Sequence, residues 1–357
     1  AWTLVDPGAW HAESRTLVLM EDWWQQNPPL PIPTMGTGVV TAVLPPGTTE
    51  IPRNAFKRQT TLRNVRNMES VTTINDDAFH GCRLLKLTAL PKGLTTIGNF
   101  AFDFCRSLAL TALPDGLRTI GDGAFSGCHN LALTALPAGL TTIPYGAFQG
   151  CDKLALTELP KGLTTIGERA FLGCNSLALT ALPAGVTAIG YGAFTFCRKL
   201  ALTELPAGLT TIEVSTFTGC ISLTLKALPA ELRSIGDSAF DLCNSLALTE
   251  LPAGVTYIGD GAFESCRLLA LTALPDGVTS IPFRAFGRCP LLALEALPDG
   301  LTTIGYEAFD GCTSLALEAL PAGLRSIGDE AFSGCPLPVR ELVTEWRETR
   351  EAARDAP

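Results

Sequence analysis

A cysteine recurs every 23 residues from Cys82 to Cys335, twelve in succession, with no insertion or deletion to disturb the interval. So strict a period severely limits the fold. One unit of that size cannot bury its own apolar side chains, so equivalent residues must stack on the next unit. A Phe stands three residues before every Cys, from Phe79 to Phe332, and Ala55-Phe56 begins the series one unit earlier, giving 13 Phe rungs. Counting from each Cys, Leu recurs at offsets 3, 5 and 8, Pro at 9, Gly at 11, Leu or Val at 12 and Ile at 15, as in the unit from Leu131 to Ile143. The spacing fits neither a helical stripe nor sustained alternation, and the Pro and Gly residues supply bends. Each unit is therefore expected to be one solenoid coil. At ~4.8 Å per coil, about 13 coils would extend roughly 60 Å.

Two segments of the coil suit short strands, Leu131-Ala-Leu-Thr134 and Leu140-Thr-Thr-Ile143, which predicts two parallel sheets. The Ala-Phe-x-x-Cys piece is expected to be a turn or one 3₁₀ turn that drops Phe and Cys into the core.

The unit C-x-x-L-x-L-x-x-L-P-x-G-L-T-x-I-G-x-x-A-F-x-x-C, over residues 46–335, resembles the BspA-like (Treponema pallidum-type) leucine-rich repeat family of bacterial surface proteins and protists. The resemblance implies a right-handed solenoid used for binding, with no shared catalytic residues. One departure concerns the first strand. The family has an aliphatic residue at offset 6, whereas this chain has Thr88, Thr111 or Thr134, later Lys226, Glu295 and Glu318, with Leu at offset 5.

The ends differ from the array. Residues 1–45 hold Trp2, Trp10, Trp23 and Trp24 and an extended Pro-rich stretch from Asn27 to Pro33, and read as a cap, a docking arm, or both. In residues 336–357, Val339, Leu342, Val343 and Trp346 fall at helical spacing, which predicts a capping helix. A chargeless run at 170–197 is interrupted by Pro183 and by glycines from Gly173 to Gly192, so no transmembrane segment is expected. Beginning at Ala1 fits loss of a targeting peptide and loss of an initiator Met equally.

The net charge of −9 argues against nucleic acid as a partner. Its distribution is uneven: residues 1–178 hold 14 basic and 14 acidic side chains, residues 179–357 hold 12 and 21. No close Cys pair or His cluster offers a metal set, and no nucleophile–base motif or phosphate loop occurs, so neither metal, cofactor nor enzymatic activity is expected. The cysteines are expected to be free, buried thiols, which favours a reducing compartment, cytoplasm or organelle interior, over secretion or a cell surface.

Specificity must then lie in the variable columns. Tyr145, Tyr191, Phe283 and Tyr306 occupy offset 17, and Phe104, Phe196 and Leu242 replace Gly at offset 22. Such side chains serve contacts or cover the core edge. The first coils are basic, and Arg58, Arg63 and Arg66 could steer an anionic partner. These features indicate a non-enzymatic protein–protein interaction scaffold or adaptor within a larger assembly, with a surface adhesin as the alternative. A remoter reading is an ice-binding solenoid, from Thr columns such as Thr141-Thr142.

Overall fold

Every coil contributes one two-residue strand ending in its Ile, because Thr and Ile favour extended backbone and the neighbouring Gly lets the next coil approach. The structure, a computed structural model, describes residues 10–11, 15–19 and 40–355. It is a parallel β-solenoid of about 13 coils with one C-terminal helix, and it divides into two compact units, 1–178 and 179–357.

In the first unit, β1 (Trp10–His11) pairs antiparallel with β2 (Thr16–Val18), which continues in parallel to β3 (Thr41–Val43). β4 (Glu50–Ile51) opens the Thr-Ile column and pairs with Thr73–Ile74, then in turn Thr96–Ile97 and Thr119–Ile120. β5 (Asn64–Arg66) pairs with β3. In the second unit the column runs in register through Ile212, Ile235 and Ile258, and through Ile281, Ile304 and Ile327.

The Leu-x-Leu-Thr segment forms a strand only in the first coils. From there on it forms no strand in either unit, and single backbone bonds hold it, such as Ala132 N to Leu110 O at 3.0 Å and Ala270 N to Leu248 O at 3.0 Å. The pattern of burial supplies the reason. β2, β3 and β5 bury Leu17, Ala42 and Val65 at the centre of each strand, and Ala42 and Val65 stand at offset 6, the position the repeats give to exposed Thr. The repeats instead bury Leu at offsets 3 and 5 and expose offset 6, one residue out of register with the first strands, so the pairing of the first coils does not continue into them.

The Ala-Phe-x-x-Cys segment is a series of tight turns, and it carries a backbone ladder of its own. Asp77, Phe79 and Gly81 donate their amides to the next coil's Asn99, Ala101 and Asp103 carbonyls at 2.7–2.8 Å. Ser238, Phe240 and Leu242 do the same to Asp260, Ala262 and Glu264 at 2.7–2.9 Å. Aiming three alternate amides the same way requires a left-handed residue two positions before and two after each Phe. Asp77 and Gly81 have φ of +56° and +75°.

Behind the turns the Phe rings stack at 5.1–5.7 Å in both units, fully buried apart from the last. Each Cys is buried beside them and unbridged. Its thiol donates to the carbonyl of the preceding coil's Phe, as in Cys105 to Phe79 at 3.2 Å and Cys266 to Phe240 at 3.1 Å. A small apolar group with one weak donor satisfies that carbonyl without the desolvation a hydroxyl would incur.

The last coil would expose carbonyls with no following coil to use them. α1 (Leu337–Asp355) covers it, burying Val339 and Val343. Arg347 donates to Gly328 O at 3.2 Å, and Arg350 to Arg325 O at 3.3 Å and to Leu324 O. The helix thus closes the open edge by packing and by hydrogen bonding. Among the described residues no helix is long and apolar enough to cross a membrane.

Candidate interaction surface

The outward edge of the turns is where side chains are free to vary, since Phe, Cys and Ile are committed to the core. Its two left-handed columns suit Gly, which fills them in many coils. Four bulky apolar residues take these places instead. Phe100, Phe104, Phe196 and Leu242 have φ of +53° to +60° and remain 39–46% exposed. A left-handed L-residue costs roughly 1–2 kcal/mol. Burial does not repay that cost here.

In the first unit, the Phe100 and Phe104 rings lean over Gly123 and Gly127 of the next coil, and a Cβ on Gly127 would lie 2.8 Å from Phe104 Cδ1. His80 meets Phe104 edge-on at 6.3 Å between centroids, and its Nδ1 lies 3.1 Å from Asp103 Oδ2. Lys57 pairs with Asp77 at 3.0 Å. Burial raises the Asp103 carboxyl, while Ser126 and His80 pull it back.

The offset-17 column plays two parts. In several coils it holds an Asp or Asn whose side chain accepts the next coil's amide, as Asp76 does from Asn99 at 2.7 Å, Asn99 from Asp122 at 2.8 Å, and Asp260 from Phe283 at 3.1 Å. Where it is aromatic, the ring is exposed: Tyr145 40%, Tyr191 38%, Phe283 41% and Tyr306 44%. Phe283 and Tyr306 stack at 5.8 Å, Arg284 lies 5.0 Å over the Phe283 ring, and Arg284 pairs with Glu307. Tyr145, in the other unit, accepts from Arg169 Nη1 at 3.4 Å.

The three arginines are exposed but not gathered. Arg58 sits in a turn with φ of +61°, Arg63 precedes β5, and Arg66 lies in β5 on the outer face with Asn64. Trp10 lies in β1, whereas Trp2, Trp23 and Trp24 fall outside the described residues.

The thiols are chemically quiet. Burial, first of all, pushes Cys82 and Cys335 up to about 12. It pushes Cys151 and Cys243 well above the ordinary value too, and neighbouring thiols add to the effect. Such groups stay protonated and are poor nucleophiles. Among the described residues no group of three His, Cys, Asp or Glu side chains is placed to hold a metal ion.

Sequence reasoning passed over Phe100, the amide-accepting role of Asp and Asn at offset 17, and three further exposed apolar residues beside cysteines, Ile221, Leu268 and Leu291. The exposed apolar residues lie in columns that are mostly small or polar, which was the available signal.

Comparison with known proteins agrees with this architecture. The BspA type leucine-rich repeat region matches six copies across residues 49–178, 164–293 and 279–345. A leucine-rich repeat protein of Bacteroides ovatus is 28% identical with a TM-score of 0.58, covering 84% of this chain and 77% of that one. The Treponema pallidum leucine-rich repeat protein is 34% identical over 49% of this chain and 78% of its own, with a TM-score of 0.38. No curated protein matches the chain. From its 23-residue period to its stacked Phe, Cys and Ile columns, the chain belongs to the BspA-type leucine-rich repeat family.

Proposed function

We propose that this protein is a non-enzymatic scaffold whose units each bind a protein partner at the outer edge of their own turns. One observation carries the reading: Phe100, Phe104, Phe196 and Leu242 are exposed in backbone conformations that Gly would fill at lower energy. Strain that contributes nothing to the core marks a functional position, and exposed aromatics are the common anchors of protein interfaces. The aromatic pair Phe283 and Tyr306 lies in the column that flanks this edge in the second unit. Arg58, Arg63 and Arg66 add long-range attraction for an anionic partner, and the Trp-rich segment is a second docking element.

The test is to pan a display library of folded and unfolded peptides against the full chain and against a variant with all four residues changed to Gly. Enriched peptides should lose binding to the variant, whose melting temperature stays level or rises as strain is removed. If no peptide prefers the parent over the variant, the turn edge is not the binding surface.

A further inference from the structure

Five consecutive coils of the second unit each expose one large apolar side chain next to the cysteine: Phe196, Ile221, Leu242, Leu268 and Leu291, 40–46% exposed. The next coil of the unit is different, carrying Gly311, Thr313 and Ser314 at the same places. The five lie between one residue before and two residues after their cysteines, and so fall in one stripe along the turns.

The charges along the stripe are all of one sign. The position before each of these cysteines and the two after it hold Arg198, Lys199, Arg267 and Arg288, all exposed, and no Asp or Glu. This occurs in a unit with 21 acidic and only 12 basic side chains. The nearest acids in sequence, Asp241 and Glu264, are half-buried, and Glu264 faces Arg284 at 3.8 Å. The stripe is therefore a local positive strip on an acidic body, which selects an acidic occupant and repels a basic one.

The spacing points to the occupant's conformation. Coils joined by parallel backbone pairing rise about 4.8 Å each, with the Phe rings beneath these five stacked at 5.4–5.7 Å between centroids. An α-helix advances 5.4 Å per turn, so one apolar residue per turn drifts only about 2.4 Å from its coil over the four steps. An extended strand presents same-face side chains about every 6.6–6.8 Å and drifts by more than about 7 Å over the same steps.

We infer that this stripe is the docking site for an amphipathic α-helix of about 15 residues, with one apolar side chain per turn and acidic flanks. The inference rests on the scaffold reading above and adds the partner's chemistry and conformation to it.

The experiment titrates the full chain into fluorescent 16-residue peptides by anisotropy. One has Leu at helical spacing flanked by Glu, a second has the same composition with the Leu positions shuffled, a third replaces Glu by Lys, and a fourth is an acidic peptide held extended by alternating Val and Glu. The in-register acidic helix should bind at least tenfold tighter than the other three, and more weakly as salt rises from 50 to 300 mM. Phe196→Gly with Leu242→Gly should lower its affinity at least tenfold with the melting temperature unchanged, and Arg267→Glu with Arg288→Glu should abolish the salt dependence. Equal binding of the shuffled peptide, preference for the extended one, or insensitivity to these variants would overturn the inference. So would anionic lipid vesicles that bind the chain while the acidic helix does not. If display peptides bind the turn edge but the acidic helix does not, this inference fails and the scaffold reading stands. If neither binds, the scaffold reading fails as well.

Discussion

Raising the pH by two units should destabilise this protein strongly, and the cysteine column is the reason. A free thiol in an unfolded chain ionises near pH 8.5. Eleven thiols of the column are raised in the folded state, chiefly by burial. Because the folded value lies above the unfolded one, the stabilisation is complete below pH 8.5 and is lost as the pH rises toward the folded value. At pH 9.5 each such thiol favours the unfolded chain by about 1.4 kcal/mol. That amounts to about 7 kcal/mol for the five in residues 1–178 and about 8 kcal/mol for the six in residues 179–357. Losses of that size rival the whole stability of an ordinary domain, about 5–15 kcal/mol. The assay is equilibrium urea unfolding at pH 7.5, 8.5 and 9.5 with a non-thiol reductant, staying below the midpoints at which Tyr and Lys titrate. Thiolate absorbance near 240 nm, followed in the same samples, should appear only as the chain unfolds. An unfolding midpoint that is the same at pH 7.5 and 9.5, or a thiolate signal that grows in the folded protein near pH 8.5, would refute the argument.

Ile166 is fully buried and pairs with Ile143, so Ile166→Asp should cost several kcal/mol and lower the melting temperature sharply. Gly98→Ala would bring a Cβ within 2.6 Å of the Asp76 amide and should destabilise by about 1–3 kcal/mol, while Gly93→Ala, with nothing within 4 Å, should leave the melting curve unchanged. Burial and then Glu264 raise the Asp241 carboxyl to about 6, so its penalty is absent below pH 4 and complete by pH 7. Asp241→Asn should therefore raise stability at pH 7 by about 1–2 kcal/mol after solvent screening, and by nothing at pH 4, as read from urea midpoints.

The sequence alone determined the solenoid, the number of coils, the buried Phe, Cys and Ile columns and the capping helix at Val339 and Val343, because a 23-residue apolar period has no other way to leave water. Only the tertiary structure decided which segments pair. Leu at offset 5 suits a strand by composition, yet it buries the position next to the one Val65 buries, so the register of the first strands is not continued, and the backbone ladder lies in the turns. The structure likewise decided that two positions per coil are left-handed, since that follows from the direction in which three amides must point. Once those conformations are known, Phe104, Phe196 and Leu242 become residues held at an energetic cost. The stripe from Phe196 to Leu291 was equally hidden, because its members occupy different columns of the repeat and only the structure shows that each is exposed.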